Sequence, residues 1–306
     1  MTSAASPTVS VVIPTTGRVD LLDAVLSVRA QDCVNPVEIV VVADGVADLP
    51  AGVEERVDRI VRHPERRGGG AARNSGVDAA TGRYVAFLDD DDVWEPHKLA
   101  IQLQVLAGAT DPDRTVLSSR HVHVRADRPG CSAPSPKRLL RPGVGVASYL
   151  FERRRPGAGR ASMYTSTLMC SRELALEVPW DHELARHQDW DWVVRLDRAP
   201  GVEFRQAPEA LVRIRTGSVG SISAGGDWES SLAWADARLR EQPAVYADFV
   251  TAQSLRYAVA ARSGRGGREI VGRLVAARRA PRLGPLLIGV GGLLPRHAIE
   301  RILRGR

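Results

Sequence analysis

Four consecutive aspartates, Asp89–Asp92, close the apolar run YVAFL. Like charges side by side repel, so a chain that keeps them needs a compensating charge. A D-x-D at a strand end offers oxygen donors to a divalent cation, and Mg²⁺ or Mn²⁺ bound this way keeps waters and substrate phosphates as further ligands. Asp89 and Asp91 are the expected cation pair, with Asp92 nearer to capping the helix that starts near Trp94. Far downstream, HQDWDW holds a second acidic pair, Asp189 and Asp191. Two residues apart on a helix they face different ways, so only one can share a site with Asp91. The competing reading is an exposed helix whose Trp190 and Trp192 pack on the core. A third group, Gly68–Gly70, lies among Arg66, Arg67 and Arg73. It follows neither GxxxxGK[ST] nor GxGxxG, so the glycines read as a flexible loop, and the arginines as phosphate contacts or as ordinary surface charge.

These residues need strands to bring them together. VSVVIP (9–14) is a short apolar run ended by Pro14, and VEIVVVADG (37–45) is a second buried strand ending in a turn. Between them Leu22, Val25, Leu26 and Arg29 recur at helical spacing, so the order is that of a parallel crossover unit. RIVRH (59–63) is a short strand, AARNSGVDAA is helical, and RYVAFLD (83–89) is another strand. A helix with Pro96 near its first position follows, its apolar face marked by Leu99, Leu103 and Leu106. The alternation describes an open α/β sheet over 1–110. In such sheets ligands bind beyond the carboxyl ends of the strands, and PTTGR, ADG and DDDD all fall at such ends.

Further on, 115–127 reads as a strand, and the Pro- and Gly-rich segment 128–145 as a mobile loop. TSTLMCSRELA reads as a strand running into a helix, and 187–199 as a helix packing through Trp192, Val193 and Leu196. VEFRQAPEALVRIR resembles two short strands around a turn. From about Ser230 the pattern is helical and rich in arginine: residues 231–306 hold 14 arginines against five acids, so the net charge of +6 belongs to the tail. Such a tail meets an anionic surface or is a solvated basic helix. The apolar PLLIGVGGLLP (285–295) is too short and glycine-rich to span a bilayer. Three cysteines without a CxxC pair fit a reducing compartment, and no signal peptide is evident.

Taken in order, VSVVIPTTGR, EIVVVADG, ARNSGVDAATGRYVAFLDDDDVWEPHKL and RHQDWDWVVRL resemble the family 2 glycosyltransferases over about residues 8–230. The resemblance implies the GT-A fold, an α/β arrangement with an open, mostly parallel twisted sheet flanked by helices. Residues 1–230 would form the transferase domain and 231–306 a basic helical C-terminal extension. It implies a nucleotide-sugar donor, usually a UDP-sugar, inversion at the anomeric carbon, and Mn²⁺ or Mg²⁺ as cofactor. Asp91 resembles the metal-holding residue, with Asp89 beside it in the D-x-D. Pro14 and Thr15 resemble residues lining the nucleotide, Asp44 the base contact, and Asp90 and Arg73 are expected to assist there. Asp189 resembles the general base. The sequence departs from the family pattern at Ala43, Val46 and Gln188. Those departures keep open a catalytically inactive nucleotide-binding partner. A sugar-phosphate nucleotidyltransferase is the third reading, although PTTGR offers a triphosphate only Arg18. The acceptor is a glycan, a lipid-linked species or a small molecule, and no nucleic acid is expected. The chain is expected in the cytoplasm, with peripheral contact of the tail at the inner membrane face. The segment 128–160, with Arg153–Arg155, reads from its position as a loop that closes over the donor or as solvated charge.

Overall fold

The computed structural model describes residues 8–33, 35–125, 128–153, 161–216 and 227–291. In chain order its elements are β1 (Val9–Thr15), α1 (Leu21–Arg29), β2 (Val37–Asp44), β3 (Arg59–His63), α2 (Gly69–Ala79), β4 (Tyr84–Phe87), β5 (Val93–Trp94), α3 (Lys98–Ala107), β6 (Thr115–Arg125), β7 (Arg128–Cys131), α4 (Val146–Phe151), β8 (Met169–Ser171), α5 (Arg172–Glu177), α6 (Gln188–Leu196), β9 (Glu203–Thr216), α7 (Trp228–Arg238), α8 (Pro243–Phe249), α9 (Leu255–Ala260), α10 (Gly264–Ala276) and α11 (Leu283–Val290). They fall into two compact units, residues 1–142 with 163–218 and residues 143–162 with 219–306.

The first unit is built on a mixed sheet in the order β3-β2-β1-β4-β8-β6-β9-β5, with β7 paired to β6. β3, β2, β1 and β4 are mutually parallel, and β8 runs antiparallel to both β4 and β6. β1 and β2 are continuous apolar runs because both sheet faces are covered. Val11, Val12 and Ile13 of β1 and Ile39, Val40 and Val41 of β2 are all fully buried. Of these, Val11, Ile13, Ile39 and Val41 share one apolar core with Leu21, Val25, Leu99, Leu117 and Val212.

Several expectations are corrected by packing. In α1 the buried stripe is Leu21, Ala24, Val25 and Val28, while Leu26 is exposed. Two apolar stripes share that helix, and the sheet takes the one that begins at Leu21. α3 begins at Lys98 with His97 at its N-cap, so Pro96 precedes the helix, and residues 93–94 form a strand that pairs with β9. The segment 203–216 is one long strand and not two, because its register against β6 shifts between Ser119↔Ala207 and Arg120↔Ala210, and the bulge absorbs Pro208. The loop expected over 128–145 starts with β7, whose backbone pairs with β6 through Val124↔Cys131. Of the three arginines expected in a closing loop, Arg154 and Arg155 lie outside the described residues. The backbone N–H of the third, Arg153, donates to Asp248 Oδ2 at 2.8 Å within the second unit.

In the second unit α4, α7 and α8 each give one ring to an aromatic cluster. Phe151, Trp234 and Phe249 meet with ring centroids 5.0–5.7 Å apart. Arg282 ties the start of α11 inward through Asp248 at 2.8 Å and Glu152 at 3.1 Å. Among the described residues no helix is long and apolar enough to cross a membrane. The last residues of the 285–295 run, 292–295, lie outside the described residues.

Candidate active site

The acidic run begins just past β4, at the carboxyl edge of the parallel strands. β1 continues beyond the last β4 pairing, Val12↔Phe87, which brings Pro14 and Thr15 to the same rim. Thr15 is buried and its hydroxyl donates to Asp90 Oδ2 at 2.6 Å, while the Gly17 N–H donates to the Thr15 hydroxyl oxygen at 3.0 Å. The turn that follows carries Arg18, whose Nη1 lies 2.7 Å from Asp91 Oδ2 and whose Nε lies 3.9 Å from Asp90 Oδ1.

The four aspartates have four different environments. Asp89 is the most open: Arg73 Nη2 donates to its Oδ1 at 2.6 Å, and its own N–H donates to Ser166 Oγ at 3.1 Å. Asp90 is buried, and burial pushes its carboxyl up to about 6 against the opposing pull of the Thr15 hydroxyl and the Arg18 charge. Asp91 meets Arg18. Asp92 was expected to cap a helix and does not. Its carboxylate accepts from Ser166 Oγ at 2.5 Å and from the Arg215 N–H at 3.0 Å, which fastens the acidic run to the turn before β8 and to β9. Burial, with the Asp89 charge next, holds the Asp92 carboxyl well above the usual carboxylate range.

Ser166 carries no motif in the sequence, yet it touches both ends of the acidic run. The packing beneath it fixes it in place. Trp94 Nε1 donates to the Ser166 carbonyl at 2.8 Å, and Gln102 Nε2 donates to the Thr167 carbonyl at 2.9 Å. Gln102 is itself held by the fully buried Lys98, whose Nζ donates to it at 2.6 Å and lies 3.7 Å from the centre of the Trp94 ring; burial pushes the Lys98 amine well below its ordinary value.

Asp189 and Asp191 separate as two residues on one helix must. Asp191 is fully buried and pairs with Arg195 one turn later at 2.6 Å. Asp189, in the first turn of α6, is partly accessible and accepts from the Trp190 N–H at 2.9 Å. The protein packed around it pushes its carboxyl up to about 6; the Trp190 N–H and the Arg73 charge pull it down, and the Asp89 charge pushes it up. Trp190, which the competing reading puts in the core with Trp192, stacks on His187 at 4.7 Å. Trp192 is fully buried and stacks on Trp180 at 4.3 Å.

Arg73 joins the two acidic centres. One nitrogen reaches Asp89, the other reaches Gln188 Oε1 at 3.3 Å, and the guanidinium lies 4.7 Å over the Trp180 ring. The glycines expected as a flexible loop make this approach possible. Gly69 and Gly70 stand in the first turn of α2, and a Cβ on Gly69 would lie 3.0 Å from Arg73 Nη1 and 3.1 Å from Gln188 Oε1. Arg66 and Arg67 are exposed.

Asp44 has its partners elsewhere. Its oxygens accept from the Arg67 and Gly68 N–H groups and from His63 Nδ1, all at 2.8 Å. Burial would raise its carboxyl, but these bonds outweigh it and hold the group below the ordinary range. Asp44 therefore anchors the entry to α2, and His63 Nε2 extends the chain of contacts to Ser75 Oγ at 2.9 Å. Among the described residues no group of three or more carboxylate, histidine or cysteine side chains is arranged to hold a metal ion. Asp89 and Asp91 nevertheless offer hard oxygen donors, and each already has a guanidinium against it. The donor set fits a cation that takes its remaining ligands from phosphate and water.

Residues 10–126 match the model of glycosyl transferase family 2. The chain is 29% identical over 238 residues to the amylovoran biosynthesis glycosyltransferase AmsB of Erwinia amylovora, covering 74% of this chain and 76% of that protein. It is 41% identical over 83 residues to the succinoglycan biosynthesis protein ExoO of Rhizobium meliloti, of which it spans 24%. The crystal structure of S. aureus TarS 1–349 in complex with UDP-GlcNAc superposes with a TM-score of 0.63 at 17% identity, over 88% of this chain and 81% of that one. At that identity the likeness speaks for the fold, a mixed α/β sheet with flanking helices of the GT-A kind. Over residues 10–126 the chain matches glycosyl transferase family 2, and the glycosyltransferase relatives and the fold agree with that match.

Proposed function

We propose that the chain moves a sugar from a nucleotide-sugar donor, a UDP-sugar in the simplest case, to an acceptor hydroxyl with inversion, in the assembly of a polysaccharide or other cell-envelope glycan. The observation that carries this reading is Arg73, which holds Asp89 of the acidic run and Gln188 beside Asp189 at once. One acidic centre for the donor and a separate carboxylate for the acceptor are what such a transfer requires. The relatives support the product class, since two of them serve amylovoran and succinoglycan biosynthesis. The UDP-GlcNAc complex of TarS supports the donor class.

In this reading Pro14, Thr15 and Asp90 line the nucleotide and Asp44 shapes its pocket through the 67–68 backbone. Asp91 and Asp89 would hold Mn²⁺ or Mg²⁺, which when bound supplies positive charge against the leaving diphosphate. Arg18 and Arg73 add fixed positive charge to the same rim. Asp189 takes the proton of the acceptor hydroxyl as that oxygen bonds to the anomeric carbon and the bond to the diphosphate breaks on the opposite face. A carboxyl raised to about 6 by its surroundings suits that task near neutral pH. The nucleotidyltransferase alternative needs a basic loop for triphosphate after β1, and the single arginine there, Arg18, is engaged with Asp91 and Asp90. We place the enzyme in the cytoplasm, in peripheral contact with the inner membrane face; the free thiols of Cys33, Cys131 and Cys170 support a reducing compartment.

The test is donor turnover across a panel of nucleotide sugars with Mn²⁺. Turnover abolished by EDTA and by Asp91→Ala supports the reading. Full turnover in EDTA removes the cation from it, and pyrophosphate release from a nucleoside triphosphate and a sugar phosphate replaces it.

A further inference from the structure

The last helix among the described residues is packed with its small residues inward. In α11 the buried residues are Gly284, Pro285, Ile288 and Gly289. Its outer face is Leu283, Leu286, Leu287 and Val290, spaced i, i+3, i+4 and i+7, with exposures of 70%, 36%, 54% and 47%. A stripe of that spacing is ordinarily the one a helix turns to the core. Here the glycine side of the helix faces inward instead. A Cβ on Gly289 would collide with the Thr251 carbonyl oxygen, so only glycine allows this approach, and the helix start is held by Arg282 on Asp248 and Glu152.

The helix before it extends the same pattern. α10 buries Ile270 and Leu274 and exposes Val271 and Val275 one turn apart. Residues 261–291 contain seven arginines and one acid, Glu269. Arg265, Arg273 and Arg282 are engaged with acidic partners. Arg268, Arg278 and Arg279 are exposed and have no ion pair among the described residues.

We propose that the outer faces of α10 and α11 form a docking surface for an anionic lipid bilayer, with Leu283, Leu286, Leu287 and Val290 entering the interface and Arg268, Arg278 and Arg279 meeting lipid phosphates. This rests on the peripheral contact proposed above and names the side chains that make it. Exposed leucines on a fixed helix need an apolar partner, and arginines around them need an anionic one; an anionic bilayer offers both. A second copy of the chain meets only the first need, because an isologous contact would bring like arginine clusters together. No described helix can cross the bilayer, so the surface lies on it.

Flotation of the full chain with phosphatidylcholine vesicles, with and without phosphatidylglycerol, tests this. The expected result is flotation that requires the anionic lipid and falls with salt. A Leu286→Ser, Leu287→Ser variant should bind about tenfold more weakly, and an Arg278→Gln, Arg279→Gln variant about five- to twentyfold more weakly. Unchanged melting temperature and donor turnover show that both variants are folded. Flotation that persists undiminished in the leucine variant overturns the assignment of the face while leaving the peripheral contact standing. Absence of flotation by the intact protein at low salt overturns both. A concentration-dependent dimer that the leucine variant dissociates makes the face a self-contact and overturns the proposal.

Discussion

Arg18 and Asp91 form an ion pair at 2.7 Å between the turn after β1 and the middle of the acidic run. The residue expected to hold the cation thus already has a positive charge beside it. Cation and guanidinium compete for the same oxygens, and a partly exposed pair of this kind is worth about 1 kcal/mol. Arg18→Gln should therefore bind Mn²⁺ about fivefold more tightly than the unaltered protein when no nucleotide is present, as read by calorimetry. Equal affinity in the two proteins would show that the pair does not oppose the cation.

Asp189→Asn keeps the shape of the side chain and removes its basicity. Loss of a positioned general base lowers kcat by about 10²- to 10⁴-fold with the fold intact. In the unaltered protein the base must be ionised, so kcat should rise with pH through about 6, the value to which its surroundings push the Asp189 carboxyl. A flat profile across that range, or an active Asn variant, would remove Asp189 from the role.

Arg73→Met retains bulk over Trp180 and removes the charge. Asp189 then loses a positive neighbour that favours its ionised form, so the rising limb of the kcat profile should move to higher pH. Asp89 also loses its 2.6 Å partner, and kcat/KM should fall about ten- to hundredfold. A variant that is slower with an unmoved pH limb would confine Arg73 to placing Asp89.

Asp44→Asn tests the anchor of the α2 entry. Replacing a carboxylate that accepts two backbone N–H groups and His63 should cost about 1–3 kcal/mol in urea unfolding. The Asp44 carboxyl is held below its ordinary value. The stability it lends is therefore present above the unfolded-state value and lost as pH falls through the lower folded-state value. The unaltered protein should lose more stability between neutral and acid pH than the Asn variant; equal losses would show that Asp44 is not a charged anchor.

The residue types already contain much of this molecule. The buried runs of β1 and β2 read directly as strands because both of their faces are covered. The strand-end positions of PTTGR, ADG and DDDD identify the rim, and the spacing of Asp189 and Asp191 requires that they part company. Other features are invisible in one dimension. Ser166 meets Asp89 and Asp92 only because β8 pairs antiparallel to β4 and so returns the turn before it to the end of that strand. The stripe of α1 that faces the core depends on the sheet beneath it, since periodicity alone permits Leu21 or Leu22 to lead.

Which groups can bind, protonate or repel follows from residue type, and which segments can be strand or helix follows from order along the chain; both are local and both are legible in the letters. Partnership is not local. Folding alone puts Arg18 on Asp91, makes Asp92 brace β9 in place of capping a helix, sets Asp44 to anchor α2, and turns the leucines of α11 outward. Burial and pairing are properties of neighbours distant in the chain, and they set both the charge that a carboxylate carries and the face that a helix shows.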